Sequence, residues 1–459
     1  MPEAVTIEQF YLGCLAHASY MIISRGEAAV IDPQRDVAIY LDAAARNGVA
    51  IRHIIETHLH ADFVSGHLEL AERTGAQIYL GEGSGAEFPH RAVKDRDSIQ
   101  FGDCRLDFLQ TPGHTLESIC IVMTDLANAS RPKAVFTGDT LFVGDVGRPD
   151  LSPKHTAAEL AGLLFHSLHH KLLRLPDETE VFPAHGAGSL CGRQLSTERS
   201  STIGRERQSN YALQAKSPVD FMHLVTDQLP ARPEYFGREV ELNRHGAASL
   251  DSLPHPEALS IGDVRRLQAA GAVVLDTRTV ADFGAAHIPG SVHIALSGQY
   301  ASWAARVLGV DCRVILMAED AERGREAQVR LARVGMEKVC GYIRDGIAGW
   351  VRDGGEVDSI SQISAQEFRK LRRNEAGRVA VLDVREPAER EAGSIPRSVG
   401  IPLGELPRRT DELDRGQLLV VHCKGGYRSS VACSLLRRAG FRDIANLTGG
   451  FDAWQASAE

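Results

Sequence analysis

At 459 residues the chain is too long for one average domain, and roughly two to four are expected. Its 43% hydrophobic and 24% charged residues are those of a soluble globular protein, and a net charge of -9 without a basic patch excludes nucleic-acid and anionic-membrane partners. It has no apolar run of the roughly 18 residues that spanning a bilayer needs. Met1-Pro2-Glu3-Ala4 opens no export signal, and eight scattered cysteines predict free thiols in a reducing cytoplasm.

In chain order, residues 10–15, 19–23 and 28–31 read as strands, and 36–47 as a helix ended by Gly48. The β-branched run 51–55 leads into Thr57-His58-Leu59-His60-Ala61-Asp62-Phe63-Val64-Ser65-Gly66, and 68–73 is helical again. The polar cluster therefore sits where a strand ends and a helix begins, the place where α/β units bind ligands. Three later pieces repeat that design: Thr111-Pro112-Gly113-His114-Thr115, Thr137-Gly138-Asp139-Thr140 and Pro183-Ala184-His185-Gly186. Each sets one imidazole or carboxylate beside a glycine after a strand-like run. A lone histidine is usually an ordinary core or surface residue, but four such junctions in order point to a metal site.

After Asp139, the loop through Gly144, Gly147, Arg148 and Pro149 is shaped to fold back near that site. Residues 157–175 carry leucines at helical spacing and predict a core helix, whose His166, His169 and His170 lie away from any strand end and are not expected to be ligands. Cys191 follows a small, flexible stretch and is an auxiliary thiol candidate near the pocket mouth. The first domain is placed at residues 1–245, with a Gly, Ser and Pro linker at 246–257.

The remainder is a repeat. Val273-Val274-Leu275-Asp276-Thr277-Arg278 recurs as Ala380-Val381-Leu382-Asp383-Val384-Arg385, and Gly346-Ile347-Ala348-Gly349-Trp350 parallels Gly450-Phe451-Asp452-Ala453-Trp454. Two like α/β domains follow, at 258–355 and 360–459. They differ where chemistry would be done. The second has Cys423-Lys424-Gly425-Gly426-Tyr427-Arg428-Ser429, a glycine-rich loop that aims backbone N–H groups and a helix N-terminus at the cysteine, with Arg428 expected to close the far side. This cradle stabilises a thiolate and can hold the outer sulfur of a persulfide. The first copy has Ala318 in the cysteine's place, followed by acidic residues, and is expected to be inactive.

These motifs resemble known families. The four junctions are similar to the metallo-β-lactamase superfamily signature, except that Phe63 stands where a histidine of the second metal site belongs. Within it the chain resembles the persulfide dioxygenase branch. That resemblance implies one Fe(II) held by His58, His114 and Asp139, with His60, Asp62 and His185 orienting ligands or water and Arg148 holding an anionic end of the substrate. The Asp-x-Arg and Gly-Gly-Phe-Asp-Ala-Trp elements resemble the rhodanese family, whose phosphatase relatives have a loop one residue longer, sized for phosphate. The implied fold is an αββα sandwich followed by two α/β rhodanese-like domains. The implied activity is oxidation of a small thiol persulfide by O₂ to sulfite, with thiosulfate made through Cys423, in sulfide detoxification; self-association is left open. The alternative is a glyoxalase II-like zinc thioester hydrolase joined to a sulfurtransferase.

Overall fold

The computed structural model describes residues 5–128, 131–152, 154–193, 195–227, 229, 232–374 and 377–457. The N-terminal tetrapeptide on which the export reading rests lies outside them. The chain forms two compact units, Met1–Leu253 with Ala332–Gly335, and Pro254–Leu331 with Met336–Glu459. Residues 246–253, expected to be linker, thus belong to the first unit: the carbonyl of Ala248 accepts from Arg35 and the N–H of Leu250 is held by Glu69.

In the first unit, β1 (Thr6–Leu12), β2 (His17–Ser24), β3 (Glu27–Ile31), β4 (Ala50–Ile55), β5 (Gln77–Gly81) and β6 (Arg91–Val93) form one sheet in that order. The second sheet is built from β7 (Ser98–Phe101), β8 (Cys104–Gln110), β9 (Ile119–Asp125), β10 (Ala134–Gly138), β11 (Glu180–Pro183) and β12 (Ser201–Thr202), ordered from β12 to β7. Side chains alternate between faces along a strand, so each strand feeds two apolar layers. Ala29, Ile31, Ile55, Phe108, Ile121 and Phe136 meet between the sheets. Val30 and Ile54 turn outward to the helix Ala38–Asn47, and Val122 and Val135 turn outward to the helix Ala157–His170. Three apolar layers separating four layers of structure make an αββα sandwich.

The helix expected at 157–175 ends earlier, at His170, and continues after Lys171 as the short 3-10 turn Leu172–Arg174. Its start is fixed by a capping box, Thr156 with Glu159. The first strand is earlier than expected, because residues 13–16 form the turn into β2.

The second unit contains β13 (Ala258–Leu259), β14 (Val273–Asp276), β15 (Val292–His293), β16 (Val314–Met317) and β17 (Val339–Ile343), in the order β13-β17-β16-β14-β15. It continues with β18 (Ser361–Ile363), β19 (Val379–Asp383), β20 (Val399–Gly400), β21 (Leu418–His422) and β22 (Ile444–Leu447), in the order β18-β22-β21-β19-β20. Both sheets are parallel and their strand orders are the same, as the sequence repeat predicts. Among the described residues no helix is long and apolar enough to cross a membrane.

One glycine fastens the end of the second repeat to its loop. Gly450 has φ +58°, and a Cβ there would lie 2.4 Å from the carbonyl oxygens of both Cys423 and Lys424. Gly450→Ala should therefore destabilise the second unit by about 3 kcal/mol, the sum of left-handed strain and a backbone clash. All three tryptophans, Trp303, Trp350 and Trp454, lie in that unit, so urea unfolding followed by tryptophan fluorescence reads its stability directly.

Candidate functional site

His58, His114, Asp139 and His185 follow β4, β8, β10 and β11, at one end of the sandwich. Three of them converge. Nε2 of His58 lies 3.9 Å and Nε2 of His114 lies 3.3 Å from Oδ2 of Asp139, and all three atoms are buried without a hydrogen-bond partner. A buried polar atom left unpaired costs about 1–3 kcal/mol, so three pointing at one spot mark a place for a cation. His58, His114 and Asp139 form a group able to hold a metal ion.

The tautomers follow from the neighbours. Oδ1 and Oδ2 of Asp32 take the backbone N–H (2.7 Å) and hydroxyl (2.9 Å) of Thr57. With its proton committed, the Thr57 hydroxyl accepts from Nδ1–H of His58 at 3.0 Å. Nδ1 of His114 is 3.0 Å from the carbonyl of Arg148, which can only accept. Both rings thus carry hydrogen on Nδ1 and present the Nε2 lone pair. Burial lowers the pKa of both imidazoles, keeping them neutral. For Asp139 burial works the other way, but His185 and His114 prevail and hold its carboxyl well below the usual range. Gly138, at φ +51°, permits this approach: a Cβ there would lie 2.5 Å from the Thr57 hydroxyl.

His60 packs on the His58 ring, centroids 4.2 Å apart, but turns its Nε2 to other carboxylates. Its Nε2 lies 3.2 Å from Asp32 and 3.3 Å from Glu56, whose other oxygen is 2.6 Å from the Ser65 hydroxyl and 3.2 Å from His67. Burial opposes a charge on His60, but the two carboxylates outweigh it and lift its pKa to about 10. Glu56, although buried, is pulled to about 2 by hydrogen bonds from His60 and His67. His185 is a second held cation. It bridges Oδ1 of Asp139 (2.8 Å, from Nδ1) and Oδ2 of Asp62 (2.9 Å, from Nε2), and against burial these carboxylates raise its pKa well above the ordinary value. Phe63 is fully buried, 4.1 Å from the His17 ring and 4.4 Å from the His60 ring.

In the second unit, Cys423 follows β21 and is buried. Its Sγ accepts from the Gly426 N–H at 3.1 Å and the Ser429 hydroxyl at 3.5 Å. The loop carbonyls are tied elsewhere, that of Cys423 to Phe451 N–H (2.8 Å) and that of Lys424 to Asp452 N–H (3.1 Å). Gly426, at φ +101°, starts the helix Tyr427–Arg438. In the first repeat Ala318 is buried after β16, at the matching place, and offers no thiol.

Residues 12–185 match the Metallo-beta-lactamase superfamily, and residues 260–353 and 364–457 each match the Rhodanese-like domain. A crystal structure of a metallo-beta-lactamase from Staphylococcus aureus is 32% identical, with a TM-score of 0.67 over 74% of this chain and 99% of that one. The chain belongs to the metallo-beta-lactamase superfamily. It is related to two kinds of curated protein. The hydroxyacylglutathione hydrolase of Rhizobium johnstonii is 38% identical over 35% of this chain and 57% of its own length. The persulfide dioxygenase ETHE1 of Bos taurus is 32% identical over 38% of this chain and 64% of its own length. The chain thus spans about three fifths of the length of each.

For a metallo-beta-lactamase fold joined to rhodanese-like domains, two expectations need correction. Arg148 was expected to reach over the site with a guanidinium open to substrate. Its side chain is instead buried, paired through two nitrogens with Asp150 (2.6 and 2.8 Å) and bonded to the Leu190 carbonyl (3.2 Å); what it offers the site is its backbone carbonyl, to His114. Arg428 was expected to close the cradle of Cys423, but it forms a bidentate pair with Glu389 at 2.6 and 2.7 Å. In both cases a guanidinium, buried at Arg148 and half-buried at Arg428, pairs with a neighbouring carboxylate. Cys191 is brought to Asp62 and His185, their donor atoms all within 4.8 Å, and burial, then Asp62 and Asp139, push its thiol pKa well up. Lys424 and Gly425 are exposed.

Sequence reasoning missed Asp32, Glu56, His17, Glu239 and Asn243. The buried Asn243 donates to the carbonyls of His60 and Phe63 (2.8 Å each) and accepts from Ser65 N–H (2.8 Å), pinning the histidine loop. Glu239, one helical turn earlier, is fully buried, and burial with Asp62 nearby raises its pKa well above normal. Only Asp32, in an Asp-Pro pair at the end of a strand, carried a readable signal.

The His60 geometry fixes a pH dependence. Its folded pKa, about 10, exceeds the ordinary 6.5, so its contribution to stability is complete below pH 6.5 and is lost as pH rises through about 10. In metal-free protein, urea unfolding followed by circular dichroism should show stability falling across that interval. His60→Gln should be weaker at pH 6.5 and lose less stability across that interval, the remaining slope being that of His185, whose pKa is also raised.

Proposed function

We propose that the protein is an iron-dependent persulfide dioxygenase coupled to a sulfurtransferase. The observation that supports it most is the donor set: two imidazole nitrogens and one carboxylate oxygen converge, while His60 is held by Asp32 and Glu56 and Phe63 replaces a donor. Two nitrogens and one carboxylate on one face suit a non-haem Fe(II) oxygenase. His58, His114 and Asp139 would hold the ion, which supplies O₂ activation and a point of attachment for a persulfide's terminal sulfur. Around it, His185 keeps a proton between Asp62 and Asp139, and the buried Phe63 ring packs on His17 and His60.

Cys423 completes the sequence. Its thiolate attacks the outer sulfur of a persulfide RSSH, the S–S bond breaks, and RSH leaves after taking up the proton. Sulfite then attacks the outer sulfur of the cysteine persulfide, giving thiosulfate and restoring the thiolate. The Gly426 N–H and Ser429 hydroxyl stabilise the sulfur anion in each step. Eight free cysteines fit a reducing, cytoplasmic setting for this thiol chemistry.

The comparisons favour a second reading, a glyoxalase II-like zinc hydrolase of thioesters joined to a sulfurtransferase, since the Rhizobium johnstonii hydrolase matches at higher identity than the bovine dioxygenase. Such hydrolysis generally relies on two metals to activate water, and Phe63 weighs against the second. Elemental analysis and an oxygen electrode separate the readings. About one iron per chain is expected, with persulfide-dependent O₂ uptake that His58→Ala abolishes along with the metal. Two tightly held zinc ions and turnover of a glutathione thioester would replace the dioxygenase with the hydrolase.

Cys423→Ser separates the two halves. Thiosulfate formation should cease while O₂ uptake persists and sulfite accumulates. Normal thiosulfate output from this variant would place sulfur transfer elsewhere in the chain.

A further inference from the structure

The helix behind Cys423 is held from outside its own repeat. One face of Tyr427–Arg438, at positions 427, 430, 434 and 438, is hydrogen-bonded to a single segment of the first repeat, residues 290–295. The Tyr427 hydroxyl donates to the Ala295 carbonyl (3.0 Å), the Ser434 hydroxyl oxygen accepts from the His293 N–H (3.0 Å), and Arg438 donates to the Gly290 carbonyl (2.6 Å). The fourth contact joins the Ser430 hydroxyl to Nδ1 of His293 at 2.8 Å. Steps of three and four residues are the spacing of one helical face.

His293 is fully buried, and its tautomer is set by its other nitrogen. Nε2 lies 2.9 Å from the carbonyl of Arg278, which can only accept, so Nε2 carries the hydrogen and Nδ1 receives the Ser430 proton. Arg278 is anchored in turn, by Asp276 (3.0 and 2.6 Å) and the Ala286 carbonyl (2.8 Å). A rigid chain thus runs from the core of the first repeat to the first turn of the helix. Ser429, adjacent to Ser430, donates to Cys423 Sγ. Of the two donors facing the sulfur, Gly426 lies in the loop, whose carbonyls are tied to Phe451 and Asp452, while Ser429 takes its position from the helix.

We infer that the cysteine-less repeat serves as the bearing of the catalytic helix, and that His293 is a positioning residue for Cys423. This rests on Cys423 being the sulfur carrier. It gives the first repeat a task that needs no nucleophile, in keeping with Ala318 and its acidic loop.

Sulfur transfer from thiosulfate to cyanide by the full-length chain tests the inference. Cys423→Ser must abolish it; if it does not, the sulfur-carrier reading fails before His293 is at issue. With that established, His293→Ala should lower kcat about tenfold and change KM by less than about twofold, because positioning acts on the step and not on binding. His293→Asn, whose Oδ1 can still accept from Ser430, should recover most of the rate. Ser430→Ala should match His293→Ala, and the double variant should be no slower than either, as expected of partners in one contact. Arg437→Gln, which loses contacts to Asp358 and Ser359 off this face, should keep the wild-type kcat. The inference is overturned if Ser430→Ala and His293→Ala leave kcat unchanged, if Asn rescues nothing, or if Arg437→Gln is equally slow. Should His293→Ala fail to fold, Ser430→Ala, which removes a single oxygen, decides alone.

Discussion

Two imidazoles can serve one metal only if each turns an unprotonated nitrogen toward it, and here that depends on a hydrogen bond made behind each ring. Asp32 commits the Thr57 proton, so Thr57 must accept from His58, and the Arg148 carbonyl accepts from His114. Neither donor set nor distance would have meaning with the rings in the other tautomer. The rest of the site is arranged to keep these supports in place: Gly138 admits Thr57, and Asn243 holds the loop that carries His58 and His60.

The surroundings are densely acidic for a buried space. Asp32, Glu56, Asp62, Asp139 and Glu239 all lie out of solvent, and buried carboxylates are costly unless paired or protonated. His60 and His185 are the counter-charges, each shared by two carboxylates. In this arrangement His60 balances Asp32 and Glu56 and is drawn away from the ligand group.

The two repeats show how one scaffold divides its labour. Asp276–Arg278 and Asp383–Arg385 are the same buried pair, each arginine also reaching a carbonyl eight residues on. These pairs secure the parallel sheets, and both copies keep them. The loops after β16 and β21 are free of that duty and have diverged, one to Ala318 and acidic residues, the other to Cys423 and glycines.

Local chemistry was legible in the sequence wherever it is written in neighbouring residues. His58, His114, Asp139 and His185 each follow a strand, the last three beside a glycine, Cys423 opens a glycine-rich turn into a helix, and Ala318 stands in the cysteine's place in the other repeat. The repeat followed from internal similarity, whereas periodicity alone gave only an α/β class and the αββα sandwich came from the family resemblance. Tertiary structure alone decided what each side chain does with its polar atoms. Thr57 finds Asp32 across 25 residues, Asn243 finds His60 across 183, and Ser430 finds His293 across 137. Arg148 and Arg428 looked available from their loops because a sequence does not show which carboxylate the fold brings to a guanidinium, Asp150 to one and Glu389 to the other. Hydrogen bonds between distant segments have no spacing rule, so their partners exist only once the chain has folded.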